Sequence, residues 1–273
     1  STTLGAGLTL DAVAREPVVR ERHRALAQAA GQVATPHLRQ MGTLGGNLCL
    51  DTRCTYYDQN QEWRQAIGFC MKKEGATCWV APSSPRCLAV SSTDCAPALI
   101  ALGARVRLVS AAGERTLALE ELYLNDGMHY LARRADEIVT DVTLESGPAW
   151  RSCYWKLRRR GAFDFPVLSV AAALRLGAGG TVEAARLVLG AVASRPLLAV
   201  AAAERLLGGR LSDADIAEAS ALAAKLAKPM DNTDFTLHWR KRVAAEFVGY
   251  ALRELRGDDM REFRRRITRQ DLS

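Results

Sequence analysis

A chain of 273 residues that is 48% hydrophobic and 25% charged has ordinary globular composition and enough length to bury a core. That excludes an intrinsically disordered segment, a collagen and a coiled coil, and no stretch approaches the ~18 consecutive apolar residues of a membrane span. The net charge of +7, from 37 basic and 30 acidic residues, leaves room for an anionic ligand but is too small and too dispersed to point to nucleic acid. The expectation is a soluble, cytoplasmic protein of about two domains at ~150 residues each, with no nucleic-acid or membrane partner. Because the sequence opens on Ser1 rather than Met, it is expected to be truncated or processed at its N-terminus.

In chain order, 10–14 and 21–30 read as helices. The segment 39–49, "RQMGTLGGNLC", then places Gly42, Gly45 and Gly46 around Thr43 and ahead of Asn47. Glycines let backbone approach a ligand closely, and paired glycines are expected to free their N–H groups for a phosphate or a ring edge. The Thr43 hydroxyl and the Asn47 amide can then fix orientation. The dinucleotide fingerprint G-x-G-x-x-G is absent, with no acidic residue about 20 positions on, and so is the lysine of a Walker loop. Taken alone, a G-G-N segment reads more simply as a tight turn.

Six of the seven cysteines, Cys49, Cys54, Cys70, Cys78, Cys87 and Cys95, fall between 49 and 95, with Cys153 apart. The intervening stretch is polar, rich in Pro, Gly and Ser, and shows no sustained period of 2 or 3.6, so it reads as a loop-rich insert. Such a segment packs no core of its own and needs a cross-link to offset the entropy of ordering it. Disulfides fit the even count but suit small secreted domains rather than a chain with this Ala- and Leu-rich core. Structural zinc usually shows C-x₂₋₄-C knuckles, which are missing. An iron–sulfur cluster tolerates the long gaps 54–70–78–87, and unconnected buried thiols remain open as well.

After the insert, "SSTDCAPALIALGA" reads as a helix with Thr93 and Asp94 at its N-cap, Pro97 in its first turn and Gly103 as its stop. Capping is the simplest role for Asp94, and helix starts are also where phosphates and hydroxyls dock. "RVRLVS" and "ERTLAL" read as a hairpin and 137–144 as a further strand. A domain boundary is expected at "SGP", 146–148. Three strands follow in "WRSCYWKLR", "VLSVAAALRL" and "TVEAARLVLGAV", then helices over 196–207, 214–227 after a Ser212 cap with Asp215 at N3, and 236–256 before Gly257. The basic runs Arg158–Arg160 and Arg264–Arg266 read as solvated faces or a docking surface. The four histidines show no metal spacing.

Taken together, "TPHLRQMGTLGGNLCLDTRC", "STDCAPALIALGARVRLVSAAGERT", "DEIVTDVTLE" and "YWKLRRRGAFDFPVLSVAAAL" resemble, in order, the FAD-binding subunits of the xanthine dehydrogenase family of molybdenum hydroxylases. The resemblance covers nearly the whole chain. It implies an α+β fold: a flavin-binding domain of the PCMH type over 1–146, lacking its N-terminal subdomain, then a three-stranded sheet plus helices of the CO dehydrogenase flavoprotein C-terminal type over 147–273. It implies that Thr43, Gly45, Gly46 and Asn47 contact FAD, that Asp94 hydrogen-bonds it, that Lys156 lies at the isoalloxazine side and that Val139 lines the ring. The A-G-G-T-D stretch that wraps the diphosphate in this family is missing, so the chain is expected to be a fragment holding part of the FAD site.

Most flavin subunits of the family pass directly from the G-G-N segment to the S-D-x-A-P helix. The roughly forty extra residues at about 50–90 resemble the insertion of the 4-hydroxybenzoyl-CoA reductase branch, which holds an additional [4Fe-4S] cluster. By that resemblance Cys54, Cys70, Cys78 and Cys87 are the cluster thiolates, and Cys49, Cys95 and Cys153 are not. The implied role is electron transfer: a subunit working with a molybdenum-cofactor subunit and a [2Fe-2S] subunit, in a dimer of heterotrimers, to remove the phenolic hydroxyl of 4-hydroxybenzoyl-CoA in aromatic degradation. A loop-like insert on the surface would face a ferredoxin-like donor. No residue of this chain is expected to touch the reacting ring. The alternatives are the FAD subunit of an oxidative molybdenum hydroxylase acting on a heterocycle, an aldehyde or CO, and a zinc-stapled interaction module without redox activity.

Overall fold

A computed structural model describes residues 1–145, 150–161 and 163–269, so the boundary expected at 146–148 lies outside the described residues. Two antiparallel sheets organise the chain. The first runs β1–β4–β2–β3 in space, from β1 (Thr2–Gly5), β2 (Arg105–Ser110), β3 (Gly113–Ala118) and β4 (Ile138–Leu144). The expected hairpin is β2 and β3, and the short polar β1 pairs with β4 from Thr2 opposite Leu144 to Gly5 opposite Asp141. The second sheet runs β5–β6–β7–β8, from β5 (Arg151–Leu157), β6 (Leu168–Leu176), β7 (Val182–Gly190) and β8 (Leu197–Leu198).

Helices α1 (Leu10–Arg15), α2 (Pro17–Arg22), α3 (Arg24–Gly31), α4 (Pro36–Met41), α5 (Leu44–Leu48), α6 (Gln61–Ala66) and α7 (Cys95–Ala101) belong to the first part. Helices α8 (Val200–Leu206), α9 (Asp213–Leu226), α10 (Leu237–Arg256) and α11 (Arg261–Arg269) belong to the second. The helix expected over 21–30 is two helices. Pro17 starts α2 at its first position and holds Glu16 extended, and His23 leaves helical geometry at φ −128° to bond Thr2 Oγ1 through its ring nitrogen. The expected helix 196–207 begins four residues late, because Leu197 and Leu198 pair with Leu189 and Val188 as a fourth strand. Helices α9 and α10 follow their caps. Ser212 and Asp215 form a reciprocal capping box, Thr236 accepts from Trp239 N, and Gly257 ends α10 at φ +117°.

The second sheet is buried on both faces, which explains its near-continuous apolar strands. Tyr154, Ala171, Ala173 and Val188 face the core of the first part. Cys153, Trp155, Ala172, Leu174, Leu187 and Leu189 face α8, α9 and α10. Small residues set the approach of the first part: a Cβ on Gly190 would stand 2.8 Å from Pro97 Cγ in α7. Arg240, fully buried, donates to the carbonyls of Val167, Met230 and Ala191, tying α10 to three loops. The basic runs are not bare solvated faces. Arg159 and Arg160 pair with Asp234 and Asp164, and Arg264 lies 4.1 Å over the Trp155 ring while pairing with Glu254. Among the described residues no helix is long and apolar enough to cross a membrane.

Candidate functional site

The glycine segment is a short helix rather than a tight turn. Thr43 caps α5, accepting from Gly46 N at 3.1 Å. Gly45 N donates to Ala6 O at 2.8 Å, so the two glycine N–H groups are engaged within the protein and are not free for a phosphate, contrary to expectation. Gly45 is required for another reason: a Cβ there would stand 2.8 Å from Ala6 Cβ. The missing side chains let α5 lie against the loop after β1.

This segment separates two clefts. On one side lies a cleft with about 1030 Å³ of space not filled by atoms, lined by Thr43, Gly46, Asn47, Ser92 and Asp94 and walled by Met41, Arg160, Phe163 and Phe165. On the other lies a more open one of about 730 Å³, lined by Thr43, Gly45 and Gly46 together with Val139, Arg133 and Glu137. Four of the expected flavin contacts therefore meet in the first cleft, Val139 lies in the second, and Thr43 and Gly46 border both.

Asp94 does not cap α7. Thr93 Oγ1 accepts from Ala96 N at 3.3 Å, and Asn47 Oδ1 accepts from Cys95 N at 3.0 Å and from Thr93 Oγ1 at 2.8 Å. The Asn47 carbonyl oxygen is thus committed to the helix start, which leaves its amide nitrogen as the group able to meet a ligand. The Asp94 carboxylate instead accepts from Tyr154 Oη at 2.6 Å and from Lys156 Nζ at 3.0 Å, and Lys156 also donates to Gln32 O at 2.9 Å. Both ionisable groups are buried. Burial pushes the Asp94 carboxyl up and the Lys156 ammonium down, each opposed by the charge of the other. Lys156 lies behind Asp94 and outside the cleft lining, so it acts on the cleft through that carboxylate. Ser92 Oγ, also buried, borders the cleft with no hydrogen-bond partner.

In the insert, Cys54, Cys70, Cys78 and Cys87 are all buried and line one hollow with about 250 Å³ of unfilled space, shared with Tyr56, Tyr57, Met71, Lys72 and Val80. Cys54 and Cys87, with Ala89, form a small apolar cluster against which Tyr56, Tyr57, Met71 and Val80 pack. Cys49, Cys95 and Cys153 lie elsewhere: Cys49 ends α5, Cys95 starts α7, and Cys153 faces Ala251 of α10. All seven thiols are free. Burial pushes the Cys54 thiol up to about 12. Among the described residues no group of three or more His, Cys, Asp or Glu side chains is placed to hold a metal ion.

Residues 1–145 match the family described as FAD binding domain in molybdopterin dehydrogenase, and 152–255 match the CO dehydrogenase flavoprotein C-terminal domain. The chain belongs to this flavoprotein family of the molybdopterin dehydrogenases. It is 30% identical over 242 residues to the aldehyde oxidoreductase FAD-binding subunit PaoB of Escherichia coli (strain K12), covering 85% of this chain and 73% of that protein. It is 28% identical over 211 residues to the nicotinate dehydrogenase FAD-subunit of Eubacterium barkeri, covering 77% and 58%. CO dehydrogenase from Oligotropha carboxidovorans shares the fold at TM-score 0.72 and 22% identity, covering 93% of this chain and 74% of that one. This is a flavoprotein subunit of the molybdenum hydroxylase type, an oxidoreductase component with the expected succession of two domain types.

Several residues around the Asp94-lined cleft and the cysteine hollow were not legible as site residues. Tyr154 could have been found: it stands two positions before Lys156 on a strand, hence on the same face. Ser92 lies within the quoted motif but carries no chemical signature of its own. Phe163, Phe165 and Lys72 reach their sites through loop geometry that no spacing encodes.

Proposed function

We propose that this chain is an electron-relay subunit that holds FAD along the Thr43–Asn47 segment and a [4Fe-4S] cluster on Cys54, Cys70, Cys78 and Cys87. The observation that carries the reading is the convergence of four buried, unpaired thiols on one hollow, eight residues or fewer in sequence from the flavin-family cleft at both ends of the insert. The residues fit both groups. Ser92 offers an orphaned hydroxyl to the cleft, and Thr43, Asn47 and Asp94 supply a hydroxyl, an amide and a carboxylate within it. Four thiols on one hollow are the donor set that an iron–sulfur cluster takes, and their long sequence gaps lack the short knuckle spacing usual for structural zinc.

When bound, FAD couples two-electron to one-electron steps and the cluster carries single electrons, at potentials that span roughly −700 to +450 mV across proteins. The chain's own residues bind, orient and exclude water. Asn47 holds the start of α7 so that Asp94 faces the cleft, Lys156 and Tyr154 fix the carboxylate, and Phe163 and Phe165 cover the cleft's apolar wall. Partners of the proposed complex are a molybdenum-cofactor subunit and a [2Fe-2S] subunit, in a dimer of heterotrimers located in the cytoplasm.

Two substrate readings follow. The names of the relatives, an aldehyde oxidoreductase and a nicotinate dehydrogenase, favour an oxidative enzyme whose electrons leave through this chain. The insert favours the 4-hydroxybenzoyl-CoA reductase reading, in which a ferredoxin-like donor delivers electrons through the cluster to the molybdenum subunit. Iron, acid-labile sulfide, zinc and flavin content of the anaerobically purified complex, with electron paramagnetic resonance of the reduced sample, tests the relay. About four iron and four sulfide per chain with a cubane signal support it, and one zinc or no metal sinks it. Turnover of aldehydes or N-heterocycles with an artificial acceptor, set against 4-hydroxybenzoyl-CoA reduction with a reduced ferredoxin, separates the two substrate readings.

A further inference from the structure

Beside the cysteine hollow stands a lysine whose ammonium is fully engaged. The Lys72 side chain is only 6% exposed, and its Nζ donates to Asp51 Oδ1 at 2.7 Å, Thr52 Oγ1 at 2.8 Å and Gly127 O at 2.7 Å. Those contacts use all three of its N–H donors. The rings of Tyr57 and Tyr130 lie 4.9 and 5.4 Å from the same nitrogen. Lys72 is therefore a charge held in one place, and it lines the hollow together with the four cysteines.

Its partners come from separate parts of the chain. Asp51 and Thr52 are the foot of the insert, and Gly127 sits in the loop after β3. That same glycine donates its N–H to Cys87 O at 2.9 Å and approaches so closely that a Cβ on it would stand 2.8 Å from Cys87 Sγ. Lys72 thus joins the insert to the body of the domain at the point where a cysteine is placed. Asp51, its counter-ion, has a side chain 48% exposed, so solvent screens that negative charge more than it screens the ammonium, whose side chain is 6% exposed.

We propose that Lys72 is the positioning residue that sets the charge of the cysteine site, its fixed ammonium favouring the more negative state of the group held by the four thiolates. The inference rests on the reading that these thiolates hold an iron–sulfur cluster. One-electron reduction adds one negative charge to such a cluster, so a cation fixed beside it stabilises the reduced form and raises the reduction potential.

The test is a potentiometric titration of the cluster signal in the intact complex, with iron and sulfide counted first. Lys72→Arg keeps the charge and is expected to titrate close to the wild type, whereas Lys72→Met is expected to keep its iron and titrate at a lower potential. Asp51→Asn removes the screened counter-charge from an exposed position and is expected to shift the midpoint upward by a smaller amount. If Lys72→Met sheds its iron, the Asp51→Asn titration decides, and an unmoved midpoint there overturns the proposal. A fully loaded Lys72→Met with the wild-type midpoint, or an arginine variant shifted as far as the methionine one, also overturns it. Absence of iron and sulfide from the wild-type complex would instead refute the cluster itself and be visible before any titration.

Discussion

The buried Lys156–Asp94 pair permits a prediction with a worked magnitude. Asp94 leaves the α7 start in the first part of the chain, and Lys156 and Tyr154 stand on β5 in the second, so the pair bridges the two parts beneath the cleft that Asp94 lines. Their side chains are 0% and 3% exposed for the lysine and the aspartate. Removing one member leaves the other as an uncompensated buried charge, which costs about 3–5 kcal/mol. Asp94→Ala leaves Lys156 with Gln32 O alone at 2.9 Å, so the single variant is expected near the upper part of that range. Lys156→Met leaves the carboxylate with the Tyr154 hydroxyl at 2.6 Å and is expected nearer the lower part. The double variant removes both charges and is expected to be less destabilised than either cost summed, with a coupling energy of about 1–3 kcal/mol. Urea unfolding of the four proteins, comparing midpoints at constant slope, measures the cycle. A coupling energy indistinguishable from zero would refute the claim that the two groups form one buried ionic unit. FAD affinity of the same variants separates the cleft role: Asp94→Asn keeps the shape but loses the charge that Lys156 orients, and is expected to weaken flavin binding.

Three further outcomes are expected. Gly45→Ala forces a Cβ to within 2.8 Å of Ala6 Cβ, so α5 must shift away from the β1 loop; about 1–3 kcal/mol of destabilisation by urea unfolding, with weaker flavin binding, is expected. Glu137 is held at about 2 by its hydrogen bonds to Arg115, with burial opposing and the Arg134 N–H assisting. Because this carboxyl sits below its ordinary value of 4.5, its contribution is present above that pH and is lost as pH falls toward about 2. Glu137→Gln is therefore expected to flatten the acid limb of the stability curve between those values, and an unchanged limb would contradict the assignment. Tyr123→Phe removes a buried hydroxyl that donates to Leu48 O at 2.8 Å at the end of α5, and is expected to cost about 1–3 kcal/mol through the carbonyl left unpaired.

Much of the chain was legible because local signals and tertiary structure agree. The Ser212–Asp215 box, the Thr236 cap, the glycine stops at Gly103 and Gly257 and the β2–β3 hairpin all fall where sequence places them, since each is settled within a few residues by backbone preference and side-chain reach. The insert was also legible, because polar composition without periodicity cannot build a core and six cysteines cluster between 49 and 95.

What sequence misassigned depends on contacts made across long separations. Asp94 has the look of a cap, yet Asn47, 48 residues upstream of Cys95 N, performs part of that work and releases the carboxylate to Tyr154 and Lys156. The glycine N–H groups look free in sequence and are taken by Ala6 and Thr43. Leu197 and Leu198 look like the start of a helix and become an edge strand because β7 offers an unpaired partner. Sequence by itself thus determined most of the elements, most of their caps and the insert, because those depend on short-range sterics, hydrogen bonding and composition, whereas the choice of four candidate thiolates among its cysteines came from the family resemblance. Only the tertiary structure decided which polar atoms remain available at the cleft and that Lys72 stands fixed beside the cysteines, because burial and long-range pairing choose a partner for each donor and acceptor after the chain has folded.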